Sequence, residues 1–553
     1  MHFHVRRIVA VAAATLAVSS FVAAGCGGTN ASPVADAGSA DASADASTVG
    51  NAFGEPCLKS SDCAAGVCLA SGRCSKSCSA ASDCPPGPEW ICGAGGACAC
   101  TPSGAEVCDG RDNDCDTRVD NGATCGEAKL SCQNGACACV PGNVCGSDCF
   151  DLQTDPHHCG SCTTACGSVC IAGKCATVTQ IAAGEHHACA LFSDGGVRCW
   201  GNDAYGQLGD GASVVQSKPI APLLTSKAAR VGVRERHSCV VGQGTVTCWG
   251  EDAYGELCVA ATDSCEMPPT TSCVFRPTAM PIPSGFEPID VALGGQHVCV
   301  LGKDGTVACA GSGATDQLGD GSTSRRTLAR VPGLTNVKAI GAGSLFTCAL
   351  LGDGTVKCWG SNDAGECGDG TARGTRASPV TVTGLSGVVS LGVGITGACA
   401  VTVAGFVHCW GASGEGLLGQ PTPQNDCNVL TPCSATPIAV PGVSAASQVV
   451  VGRAHACARV GTAGDVKCWG SDDHGQLGYT TTQTCLIAGT RRPCSTTATQ
   501  VAGITGVIDL VAGSAFTCAR LAGTDVRCWG QGDGGELGDG TGQSRPAPGA
   551  VAW

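Results

Sequence analysis

The tripeptide Cys-Trp-Gly returns six times in the last two-thirds of this 553-residue chain, each time about ten residues after another cysteine. The copies are Cys199-Trp200-Gly201, Cys248-Trp249-Gly250, Cys358-Trp359-Gly360, Cys409-Trp410-Gly411, Cys468-Trp469-Gly470 and Cys528-Trp529-Gly530. Cys309-Ala310-Gly311 stands where a seventh is due, with alanine in the place of tryptophan. Successive intervals are 49, 61, 49, 51, 59 and 60 residues. A period of this order marks a solenoid, a propeller or an array, whose units bury their apolar faces only by stacking on one another.

The stretch from Gly341 to Gly360 shows what a unit contains. Two short apolar runs flank Gly352-Asp353-Gly354, and Asp-Gly between alternating strands is a strong hairpin signal. A second turn follows at Asn362 to Gly365, then a Gly-Asp-Gly loop at Gly368 to Gly370, then two more β-branched stretches that end near Val389. Four short strands with glycine-rich turns in about fifty residues describe one propeller blade. The paired cysteines fit the hairpin: Cys189/Cys199, Cys239/Cys248, Cys299/Cys309, Cys348/Cys358, Cys399/Cys409, Cys457/Cys468 and Cys518/Cys528. Each pair straddles the turn and falls opposite on neighbouring strands, within the reach of a disulfide. The expectation is an all-β, seven-bladed β-propeller over residues 177–553, stapled once per blade.

The motif Gly184-Glu185-His186-His187-Ala188-Cys189-Ala190-Leu191, followed by Cys-Trp-Gly and by Gly206-Gln207-Leu208-Gly209-Asp210-Gly211, resembles the repeat of the regulator of chromosome condensation family. The resemblance covers about residues 178–553 and implies a seven-bladed β-propeller. The added cysteines depart from the family's intracellular members and resemble secreted bacterial versions. The family's namesake acts in guanine nucleotide exchange, which would require a cytoplasmic GTPase partner.

The chain opens with a cationic start at His2 to Arg7, an apolar stretch from Ile8 to Val22, and Ala23-Ala24-Gly25-Cys26. This pattern predicts an export signal over 1–25, and its end resembles a lipobox with Cys26 as the lipidated residue. Residues 26–52 are rich in alanine, serine and aspartate and predict a flexible tether. The 45 cysteines point to an oxidising compartment. The expected location is therefore the outer membrane or cell surface, with membrane contact through the lipid; a periplasm-facing orientation stays open.

Residues 53–176 hold 22 cysteines and few large apolar side chains, so disulfides must supply what a core cannot. Their connectivity does not follow from spacing. Within this module Asp112, Asp114, Asp116 and Asp120 fall at loop positions 1, 3, 5 and 9 of a calcium loop, with Asp109 just before them. Thr117 and Ala123 depart from an EF-hand at positions 6 and 12. The run resembles an Asp-Gly-x-Asp-Asn-Asp-Cys-Asp-Gly metal-binding motif of secreted bacterial proteins, which implies structural Ca²⁺. An acidic solvated turn is the plainer alternative.

His187, His237, His297 and His455 share one repeat position, which Phe346, Gly397 and Phe516 fill in other blades. Repetition around an axis spreads such residues apart, so they read as packing rather than as a metal site. No nucleophile with a base beside it stands out, and the protein is expected to be no enzyme. Without Arg6 and Arg7 the chain carries 30 basic against 46 acidic residues, which disfavours nucleic acid. Three longer repeats hold cysteine-bounded insertions, Cys265 to Cys273, Cys427 to Cys433 and Cys485 to Cys494, at equivalent positions. Loops fixed on a rigid scaffold are where recognition resides. The expected function is a binding platform for a protein or surface-polymer partner, with a structural or adhesive surface component as the alternative. Cys258 and Cys367 align one residue apart in the Gly-x-Leu-Gly motif, and whether they pair stays open.

Overall fold

The fold was described from a computed structural model. It covers scattered short stretches between residues 67 and 171, then every residue from 173 onward except 260–262, 265–271, 414, 421–426, 428–432 and 488–489. The chain clusters into two compact units divided between Ala123 and Thr124. In the first, Cys78–Cys92 and Cys84–Cys98 are bridged. In the second, Cys125–Cys137, Cys159–Cys170 and Cys166–Cys175 precede the repeats. The second unit thus runs from Thr124 through the repeats, dividing residues 53–176 of the expected cysteine-rich module between the two units. The reason is packing: Val169 and Ala176 lie in one apolar cluster with Val178, Phe516 and Val551.

From Val178 to Ala550 the chain forms seven antiparallel sheets, one per repeat, each built on four strands that pair in chain order. Blade 4 is typical, with strands Val337–Ala342, Phe346–Leu351, Val356–Ser361 and Thr375–Thr381. Blades 2 and 6 add a short fifth strand, Asp263–Ser264 and Thr484–Ile487. No strand is exchanged between the first blade and the last among the described residues. The first strands line the central channel, and apolar clusters fill the spaces between blades.

Each member of the tripeptide has a separate physical task. The cysteine stands directly opposite its partner in the register, as in Cys348↔Cys358, and all seven pairs are bonded with Cα atoms 4.0–4.1 Å apart. Turn lengths differ, so the sequence separation runs from 9 to 11, yet the cysteines still face one another. The tryptophan is fully buried, and its indole N–H donates to a main-chain carbonyl of the preceding blade. Trp249 reaches Gln207 at 2.8 Å and Trp359 reaches Gln317 at 2.9 Å. Trp200 reaches Glu536 at 2.8 Å and so closes the ring.

The glycine is required by the backbone. Gly201 has φ +113°, at a register shift before the outer strand, and a Cβ there would lie 2.5 Å from the His186 carbonyl. The equivalent glycines of the other blades share this left-handed region.

Candidate functional site

The repeated histidines are ties between blades. His187 Nε2 bonds Ser238 Oγ at 2.8 Å, His297 Nε2 bonds Thr347 Oγ1 at 2.7 Å, and His455 Nε2 bonds Thr517 Oγ1 at 3.0 Å. In each case the hydroxyl belongs to the next blade. Where the ring is Phe346 or Phe516, or is absent at Gly397, the facing residue is Ala398, Ala188 or Ala456. His237 breaks the rule. It faces Val298, and neither of its ring nitrogens has a partner. The single-chain pattern of His with Ser or Thr one blade later was present in the sequence; a reading confined to one repeat position misses it.

Burial lowers the histidine pKa values to about 3 for His187, His237 and His297 and about 4 for His455. The rings are therefore neutral at neutral pH. Because the folded value lies below the unfolded one, their stability contribution is complete above about pH 6.5 and lost as pH falls toward the folded value. His237→Phe is expected to gain on the wild type below pH 6.5, by up to about 1.4 kcal/mol per pH unit, and to change little at pH 7.5. Urea unfolding of both proteins between pH 7.5 and 4 measures this; parallel curves would refute the burial argument.

Strand direction alternates within each sheet, so the turn after the first strand and the connection after the third open on the same face. The three insertions occupy that third connection in blades 2, 5 and 6. Cys427–Cys433 and Cys485–Cys494 are bonded, and Cys273 is in a disulfide. Cys265 lies outside the described residues, as do Cys26 and the carboxylates Asp109, Asp112, Asp114, Asp116 and Asp120.

On this face Arg492, from the blade 6 insertion, pairs with Asp473 at 3.0 Å. The pair borders a polar cavity of about 180 Å³ lined also by Glu185, His186, Glu415 and Arg453, from blades 1, 5 and 6. The His186 pKa is raised, chiefly by its hydrogen bond to the buried Glu536. Mixed charge of this kind, bordered by Arg492 of one disulfide-held loop, suits a polar partner rather than an apolar one.

Cys258 and Cys367 are buried free thiols, which answers the pairing left open above. Burial pushes the Cys258 pKa up to about 12 and raises that of Cys367 as well. Neither thiol is set up as a nucleophile.

Comparison with known proteins gives the same geometry. Residues 178–207, 337–366 and 446–476 match one repeat family. It is the regulator of chromosome condensation (RCC1) repeat. The matched segments span the first three strands of blades 1, 4 and 6 and end in the loop that accepts the neighbouring indole. No curated protein matched the chain. Among solved structures, Prp20p from Saccharomyces cerevisiae superposes with a TM-score of 0.52 at 20% identity, over 63% of this chain and 82% of that one. Human WBSCR16 gives 0.53 at 18% identity, over 64% and 94%. At these identities the likeness is one of fold: an RCC1-like propeller.

Proposed function

We propose that the protein is an exported, lipid-anchored RCC1-type propeller that acts as a binding platform for a protein or surface polymer, without catalysis. The observation that carries this reading is the placement of three cysteine-bounded insertions, two of them closed by a described disulfide, at one connection, on one face of a covalently stapled scaffold. A rigid base leaves little ordering entropy to be lost when such loops bind. The structure of Prp20p was described with its binding to Gsp1p and histones, which supports a propeller of this shape presenting a face to protein partners. It does not extend to nucleotide exchange here, because the fold alone does not carry an activity.

The anchor rests on the Cys26 motif and the structural Ca²⁺ on the aspartates of residues 109–120. The test is deletion of the three insertions within the full chain, followed by affinity capture from the cell envelope. Loss of one reproducible partner with unchanged thermal unfolding is expected. A partner retained by the deletion variant would sink the reading, and altered surface assembly with unchanged capture would favour the adhesive alternative. Cys26→Ser is expected to move the protein into a soluble fraction, and Ca²⁺ titration of the full chain against Asp114→Asn checks the metal.

A further inference from the structure

The polar cavity of about 180 Å³ on the insertion face is set with charges that the repeat does not ask for. Arg453 is the cation at a first-turn position that the other blades fill with Glu185, Glu235, Gly295, Ser344, Ile395 and Ser514. Glu415 stands where the others have Tyr205, Tyr254, Thr315, Ala364, His474 and Gly534. Arg492 belongs to the blade 6 insertion and has no counterpart in a blade without one. A residue kept for blade folding would recur around the ring. These three occur once each and meet in one place.

Among the described residues the side chains of Arg453, Glu185 and Glu415 have no hydrogen-bond or ion-pair partner, while Arg492 is held by Asp473 at 3.0 Å. Arg453, His474 and Arg492 are exposed, so the hollow opens to solvent at its rim. Both signs of charge line it, and a ligand of net charge therefore meets repulsion as well as attraction. Ser471, Ser514 and Gln531 add groups that both donate and accept. A sugar hydroxyl does the same, donating to a carboxylate and accepting from a guanidinium. Two adjacent hydroxyls match the paired oxygens of the one or the paired N–H groups of the other. No phenylalanine, tyrosine, tryptophan or branched aliphatic side chain lines the hollow, whereas the centre of a protein–protein interface is rich in aromatics and poor in charge. The volume lies below the roughly 300–1,000 Å³ of drug-sized sites and suits a single sugar ring.

We propose that this cavity holds one neutral sugar residue of a surface polysaccharide. Arg453 and Arg492 donate to the sugar hydroxyls, and Glu185 and Glu415 accept from them. The proposal rests on the platform reading for its face and its partner, and it chooses the polymer over the protein.

The experiment is saturation-transfer NMR on the full, oxidised protein. The probes are methyl α-glucoside, methyl α-mannoside, methyl β-galactoside and N-acetylglucosamine, with glucuronic acid, glucosamine and glycylglycine as charged comparisons. At least one neutral sugar should bind saturably at millimolar concentration, and more tightly than the charged compounds. Arg453→Ser installs the residue that blades 4 and 7 carry at this position and should fold with an unchanged Tm. It is expected to weaken the sugar about tenfold, through loss of a charged donor. Glu415→Gln keeps the shape and should weaken it several-fold. No saturable binding of any neutral probe, equal binding to Arg453→Ser, or tighter binding of glucuronic acid, glucosamine or glycylglycine would each overturn the proposal. Failure of the two readings is separable. Loss of the envelope partner on deleting the insertions, with no sugar bound by the full chain, would overturn the cavity and leave the platform. Sugar binding by the full chain, with the partner retained after deletion, would support the cavity and sink the platform.

Discussion

Reduction of the seven hairpin disulfides under unfolding conditions is expected to abolish refolding of the propeller. A bridge closing a loop of about ten residues contributes ~3 kcal/mol through the unfolded state. Seven such bridges exceed the about 5–15 kcal/mol that separates a typical native domain from its unfolded chain. The fourteen sulfur-bearing residues are buried, at 0–1% exposure, so reductant alone should act slowly on the native protein. With moderate denaturant present, reduction should be fast and cooperative. Circular dichroism with and without reductant, paired with mass-spectrometric thiol counting at those positions, measures both. A reduced, alkylated chain that regained native β signal would contradict the estimate. Free thiols at the fourteen positions in native material would also remove the argument for an oxidising compartment.

The second large effect concerns the one blade that lacks its tryptophan. Elsewhere the indole lies against a glycine of the preceding blade: a Cβ on Gly319 would be 2.8 Å from Trp359 Nε1, and one on Gly538 would be 2.8 Å from Trp200 Nε1. At Ala310 the ring is missing, and the facing glycine position holds Cys258, whose φ of +58° keeps the glycine-like backbone. The outer strand changes as well. Leu328 stands where Pro219, Pro277, Pro379, Pro437 and Pro548 stand in other blades. Cys258, Ala310 and Leu328 share one buried cluster.

One large residue has become small and two small ones have become larger, so the volume is recovered from two directions. Ala310→Trp alone should therefore overpack the site and cost about 1–3 kcal/mol. Adding Cys258→Gly and Leu328→Pro should return the stability to the wild-type level or above, a non-additive recovery expected only between residues in contact. Thermal unfolding of the single, double and triple variants decides it. Additive losses across the series would show that the three positions are not coupled.

The architecture was readable in the chain because its cause is periodic. Cysteine spacing, Asp-Gly turns and the Cys-Trp-Gly signature each repeat with the blade, and a strand register follows from a symmetric hairpin. What could not be read from a single repeat was what one blade does to the next. The histidines looked like packing and are packing, but their hydroxyl partners lie about fifty residues away, one blade on. The boundary near residue 176 marked the end of the cysteine spacing, whereas Val169 and Ala176 already pack on blades 1 and 7. The insertions were legible as disulfide-bounded loops; the shared face came from strand direction, and the polar cavity beside Arg492 and Arg453 only from the folded ring.

Since every sheet is assembled from its own stretch of chain, the first and last blades meet without a shared strand, through side chains and a few main-chain hydrogen bonds such as Gly540 N–H to the Ser217 carbonyl at 2.8 Å. Trp200 bonds the Glu536 carbonyl there, and the terminal Trp553 packs edge-on against Phe192 and Trp200. The indole-to-carbonyl bond there is the one made at the other gaps that hold a tryptophan, so a ring with its chain ends moved to another of those gaps should still close. Shuffling the blades is another matter. His187, His297 and His455 are each followed by a hydroxyl and Phe346 and Phe516 by an alanine, which makes the order of units around the circle a matched sequence of neighbours that cannot be dealt out at random.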